Sequence, residues 1–224
     1  MLRRLAHLVL SVTLLATAAT PALARGFAAP PPSGAPIPIS IEARAEPDDV
    51  VARAPSLSDA VRARLRTILA ARRDRNVRAF ASYVSRGRYP HNFETDGSLN
   101  VWRDREGHLC AAATMINRSG ARKLVAQVAR TDNFIRLADV TDGPLLDWIL
   151  TSGLTHAEVV AIQEPFMGEP ELPQRDWRRA EDARLRARYA EVQRQLAAGR
   201  PTSLDAAIDA LTLRPDLVAQ LIAG

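Results

Sequence analysis

Between Leu57 and Ile222 apolar residues recur every three or four positions, and an α-helix is the structure that gathers such residues onto one face. Leu57, Val61, Leu65, Ile68 and Leu69 set the pattern, and Val77, Phe80, Ala81 and Val84 repeat it. Ser56 or Ser58 supplies the N-cap, and Gly87 and Pro90 end the run. The spacing predicts two helices, over 57–73 and 75–86, or one bent helix. Ser119 is placed to cap a helix carrying Leu124, Val125, Val128 and Ala129. Leu145, Leu146, Ile149 and Leu150 form a further helical face, with Gly153 as its left-handed terminator. Thr155 and Glu158 then make a capping box, and Leu154 with Val159 a hydrophobic staple. Two short helices joined by a tight turn follow from that chemistry.

After Phe166 the character changes. Residues 174–198 are rich in arginine and acid, with Leu185, Tyr189, Val192 and Leu196 on a narrow seam. That reads as one long surface helix. Leu204, Ala207, Ile208 and Leu211 mark another, and Pro215 opens a last one with Leu217, Val218, Leu221 and Ile222. The one convincing β signal is a hairpin over 98–116, with Leu99–Trp102 and Leu109–Ile116 flanking Asp104-Arg105-Glu106-Gly107. Phe134–Leu137 reads as a short extended piece. The expected fold class is mainly α: a small helical domain around a two-stranded β-hairpin, with a long C-terminal helical segment.

The N-terminal residues carry a different message. Arg3 and Arg4 precede an uncharged apolar run from Leu5 to Ala19, and Ala22-Leu23-Ala24 has the small-x-small form of a signal-peptidase site. The run is shorter than the ~18–20 residues a membrane span needs. The expectation is a Sec-type signal peptide over 1–24, cleaved between Ala24 and Arg25, and a periplasmic or extracellular protein with no transmembrane segment after cleavage. Residues 25–55 form a Pro-rich linker in which Ile37, Ile39 and Ile41 alternate with polar or proline positions. The α-rich core is assigned to 56–167 and a helical appendage to 168–224.

Cys110 is the only cysteine, so no internal disulfide braces the chain and the apolar core must suffice. The formal charge is +5, and Lys123 is the only lysine among thirty basic residues. An arginine excess of this kind, with abundant Ala, Pro and Leu, reflects composition bias more than a nucleic-acid surface.

One resemblance emerges from these residues. Gly107-His108-Leu109-Cys110-Ala111 is followed by Ser119-Gly120, Thr131-Asp132-Asn133 and Trp148. Gly153-Leu154-Thr155, Glu158 and Ile162-Gln163 complete the pattern, which spans roughly residues 88–166. It resembles a family of exported bacterial proteins to which no activity is attached. The resemblance implies export and a common core, and it carries over no catalytic residue.

The chemistry-bearing residues support few reactions. His91, His108 and His156 are scattered, and neither H-E-x-x-H nor a P-C-x-x-C partner to His156-Ala157-Glu158 occurs, so no metal site and no cofactor is expected. There is no G-x-S-x-G elbow and no G-K-[ST] loop. His108 and Cys110, two apart on one predicted strand, are the candidate catalytic pair for a thiol enzyme. A hydrolase would draw a carboxylate pair from Glu94, Asp96 and Asp104 around the hairpin and Asp139, Asp142 and Asp147 beyond it. The basic first helices, represented by Arg62, Arg66 and Arg73, and the seam of Leu185, Tyr189, Val192 and Leu196 are the candidate binding surfaces. They suit an anionic envelope surface or a protein partner. The helix of 156–163 carries no arginine or lysine, which argues against a DNA-reading helix-turn-helix and against nucleic acid as partner. A non-catalytic binding or structural role is therefore expected, with a periplasmic hydrolase or thiol enzyme as the alternative.

Overall fold

The computed structural model describes residues 56–168 and 174–224, without the side chains of 174 and 175. The predicted signal peptide, the linker and the alternating isoleucines lie outside these residues. The organising element is α1 (Asp59–Arg86), a single helix capped by Ser58 and closed by Gly87 in the left-handed conformation. The expected break near residue 74 does not occur. The buried stripe of α1 runs through Leu65, Leu69, Arg73, Asn76, Phe80 and Tyr83 without losing helical phase. Two of its positions are polar, so an apolar pattern alone reads as interrupted there.

Around α1 stand α2 (Ala111–Arg118), α3 (Arg122–Thr131), a 3₁₀ turn (Leu137–Asp139), α4 (Gly143–Thr151) and α5 (His156–Ile162). The C-terminal helices α6 (Gln174–Ala198), α7 (Arg200–Leu211) and α8 (Pro215–Ala223) pack on the same helix. The fold is mainly α with one two-stranded antiparallel element, as the sequence predicts. The strands, however, are β1 (Ser98–Leu99) and β2 (Phe166–Met167), distant in sequence.

The predicted hairpin survives only as one antiparallel bridge, between Arg103 and Leu109, and its turn. Gly107, at φ 87°, closes it by donating to the Asp104 carbonyl at 3.1 Å, and the Cys110 N–H reaches the Trp102 carbonyl at 3.0 Å. Beyond Cys110 the chain becomes α2 rather than a second strand. A run apolar on every side is compatible with either structure, and three successive alanines tip it toward helix. Cys110 caps that helix, its Sγ accepting the Ala113 N–H at 3.4 Å. Residues 111–116 are all buried. Ser119 does not cap α3, which has no side-chain cap. The Phe134–Leu137 segment leads into the 3₁₀ turn rather than a strand.

Two apolar clusters meet on α1. The larger surrounds Trp102, whose Nε1 donates to the Val125 carbonyl at 3.1 Å, and includes α2, α4, α5 and α6. Within it Phe80, Tyr83 and Tyr89 ring Tyr189 of α6 at centroid distances of 5.5–5.7 Å. The smaller joins Leu65 and Leu69 to α7 and α8. The seam of α6 is therefore core: Leu185, Tyr189, Val192 and Leu196 are at most 3% exposed. Burying such side chains contributes about 1.5–3 kcal/mol each. Residues 174–224 thus pack on the core as a layer of the domain, and the seam expected as a candidate binding surface is covered. No single described helix is long and apolar enough to cross a membrane.

Candidate functional site

The catalytic pair expected from sequence is not assembled. Cys110 is 1% exposed and its sulfur is turned into the first turn of α2. Burial pushes the thiol up to about 12, so the thiolate a nucleophile requires is suppressed. His108 instead faces a carboxylate. Its Nδ1 lies 3.0 Å from Asp104 Oδ2, while Asp104 also accepts the His108 N–H at 2.8 Å and the His91 N–H at 3.1 Å. The expected pairing fails because Cys110 is the N-cap of α2, with its sulfur on the Ala113 N–H, while Asp104 holds the His108 ring.

The carboxylates fare similarly. Glu94 pairs with Arg105 at 2.8 Å, Asp139 with Arg136 at 3.7 Å and Asp147 with Arg214 at 2.8 Å. Glu94 and Asp104 border one small cleft, and Asp139 and Asp142 another, so the hairpin and loop acids do not converge. One grouping was invisible in the sequence: Asp104, Glu106 and His108 place their ligand atoms within 4.8 Å of one another. The turn accounts for this proximity, since the Asp104 oxygens already bind its backbone N–H groups.

The residues of the family-like pattern hold the domain together. Gly153 adopts φ 80°, and a Cβ there would stand 2.1 Å from the Leu69 carbonyl oxygen. Only glycine lets the α4–α5 turn approach α1 so closely. Thr155 and Glu158 form the predicted capping box. Glu158 also takes two parallel hydrogen bonds of 2.7 Å from Arg73 and one of 2.8 Å from Ser203. Gln163 grips the backbone at the entrance to the 3₁₀ turn, accepting from the Leu137 N–H at 2.7 Å and donating to the Ile135 carbonyl at 2.8 Å.

The arginines chosen from sequence are the occupied ones. Arg73 is buried against Glu158, Arg62 meets Asp209 at 2.5 Å and Arg66 meets Asp205. At spacings of four and seven these three share the face of α1 that packs on α5 and α7. Arg73 is buried, and Arg62 and Arg66, though partly exposed, are paired with acids, so the three form no free basic surface.

The accessible one lies elsewhere on the helix. Arg72 and Arg75 of α1, Arg118 at the end of α2 and Trp148 of α4 line a cleft of about 390 Å³. Asn76, Ser119, Thr151 and Ser152 complete its polar wall. Asn76 is held by donating to the Ser152 carbonyl at 2.9 Å, and the Trp148 Nε1 donates to Ser119 Oγ at 2.8 Å. Among the described residues no carboxylate pairs with Arg72, Arg75 or Arg118, and none lines the cleft. Arg72 donates to the Thr151 carbonyl at 3.1 Å. Partial burial, then the neighbouring Arg75 charge, pushes its pKa below the usual arginine value. Like charges gathered in a concave site without a counter-charge repel, and an anion relieves that repulsion.

Helix phase was the available signal for Arg72 and Arg75, which flank Arg73 on the turn facing away from α7. Arg118 was hidden because it lies just past Leu109–Ile116, which read as strand, whereas it ends the helix α2. The chain matches none of the family models, curated proteins or solved structures with which it was compared.

Proposed function

We propose that this is an exported, non-catalytic binding protein that holds anionic groups of the cell envelope in the cleft between α1, α2 and α4. The observation that carries this reading is the convergence of Arg72, Arg75 and Arg118 without a carboxylate among the described residues. Guanidinium forks match phosphate and carboxylate oxygens in pairs. The Trp148 indole beside them offers a flat apolar surface for the remainder of a ligand. Export is supported by Arg3 and Arg4, the apolar run after them and Ala22-Leu23-Ala24. Protein from the periplasm or medium should then begin at Arg25, and intact Met1 in that material would count against export.

Trp148 supplies the test of binding. Pyrophosphate should change its emission saturably, and the change should disappear in Arg75→Glu and Arg118→Glu. It should also weaken steeply with added salt. A titration of the unaltered protein that leaves the emission flat at low salt would overturn the reading.

A second reading, a periplasmic hydrolase, rests on one observation. Asp104 holds His108 Nδ1, and among the described residues His108 Nε2 has no hydrogen-bond partner. His108 borders a cleft shared with Arg86, Arg88 and Arg118. A carboxylate-oriented imidazole is a general-base arrangement. Turnover of phosphoester or ester substrates that vanishes in His108→Ala would favour it over binding alone.

A further inference from the structure

We infer that the arginine cleft is the middle of a longer track along α1 that binds a linear anionic polysaccharide. This rests on the proposed anion-binding cleft and extends it from a single anion to a polymer. Three depressions share residues. Arg72 and Arg75 line both the central cleft and a neighbour that ends at Arg64 and the C-terminus of α8. Arg118 lines both the central cleft and the depression bordered by Arg86 and Arg88. The three therefore run on from one another along one side of the domain.

Helical phase explains the continuity. At 3.6 residues per turn, Arg64, Arg75, Arg78 and Arg86 fall within an arc of about 80° on α1, and Arg72 borders that arc. The helix has two acids, Asp59 and Asp74, and neither lies within the arc; Asp74 is turned to Arg200 at 3.0 Å. From Arg64 to Arg86 the stripe is about 33 Å long. Among the described residues none of these arginines forms an ion pair, whereas those of the opposite face are paired with α5 and α7. A row of unneutralised charge of this length matches a polymer carrying one negative group per repeat.

The lining distinguishes between polymers. Binding a single nucleic-acid strand relies on successive aromatic platforms for its bases. Trp148 is the one indole on the track, and the Tyr83 ring is 3% exposed. A lipid surface calls for large apolar anchors on the basic face. The arc instead carries Ile68, Ala71 and Ser82 between its arginines, with Ile68 partly buried against α8. A glycan needs only charge along its length and one flat ring for a sugar face.

The experiment titrates the full mature chain with galacturonate, short oligogalacturonates and long polygalacturonate, following Trp148 emission, with pyrophosphate in parallel. Linked sites raise affinity by about a hundredfold or more over a single one, so binding should tighten progressively with chain length. Arg64→Glu with Arg86→Glu should weaken polymer binding about tenfold or more, as loss of two linked contacts does, and leave pyrophosphate binding unchanged. Arg130→Glu on α3 changes charge away from the track and serves as control. Equal affinity for monomer and polymer, or an equal loss in the control, overturns the track. Tighter binding of a single-stranded oligonucleotide than of an oligogalacturonate of equal charge overturns the glycan assignment. If pyrophosphate binds but length adds nothing, the cleft stands and the track falls. If neither pyrophosphate nor polymer binds, the cleft reading itself has failed.

Discussion

Arg73 and Glu158 show how much one ion pair contributes when it is buried. The guanidinium is 1% exposed and its partner 15%, and Arg73 also donates to the carbonyls of Gly153 and Leu196. Removing one member of such a pair costs about 3–5 kcal/mol, because the other is left charged and unpaired. Arg73→Met should lower the unfolding free energy read from urea melts by that amount, and a loss below ~1 kcal/mol would show the pair to be dispensable. Burial by itself would raise the Glu158 carboxyl. The Arg73 hydrogen bonds, the Thr155 N–H and the Ser203 hydroxyl outweigh it and hold the pKa below the ordinary value. A carboxyl depressed on folding stabilises above its unfolded pKa and ceases to do so as pH falls through the folded one. The loss of stability should therefore begin within the ordinary carboxylate range, continue below it, and be less steep in Glu158→Gln. Cys110 behaves in the opposite sense, since its thiol is raised to about 12. Its contribution is complete below the ordinary thiol pKa and is lost as pH rises from there toward about 12. In the folded protein a thiol reagent should label it only at the rate of unfolding; fast labelling at neutral pH would mean an open site.

At the level of elements, the α4–α5 turn is the joint on which the domain closes. Its glycine meets the α1 backbone, its threonine and glutamate cap α5, and the same glutamate reaches α1 and α7. Gly153→Ala would place a methyl in the left-handed region and 2.1 Å from a carbonyl oxygen. Its cost should be at least about 2 kcal/mol, read from thermal or urea melts. The capping box was legible because all its participants lie within four residues. The α1 stripe was half legible, because Arg73 and Asn76 hold core positions and their partners, Glu158 and the Ser152 carbonyl, stand 85 and 76 residues away.

For the whole molecule, α6 decides whether there is a closed core. Its four seam residues fill the space beside Phe80, Tyr83 and Tyr89, and Glu181 binds the Met167 N–H at 3.1 Å. A chain truncated before Gln174 should lose cooperative thermal unfolding and expose apolar surface to a dye such as ANS. A truncated protein that melts as sharply as the intact one would return α6–α8 to the status of an appendage. Surface ion pairs contribute little and are readily screened, so stability should change modestly with salt while anion binding changes steeply.

The sequence by itself determined what is local: a helical period over most of the chain, the caps of α1 and α5, the turn at Gly107, and the absence of a disulfide. These depend on residues within one or two turns of one another. Tertiary structure decided which apolar stripe is covered, whether Ala111–Ile116 coils or extends, which arginines meet acids, and which are left facing a cleft. Each of those outcomes depends on what lies across the fold. A guanidinium at Arg66 or at Arg75 looks the same along the chain, and only the packing of α7 places Asp205 beside the first and leaves the second open.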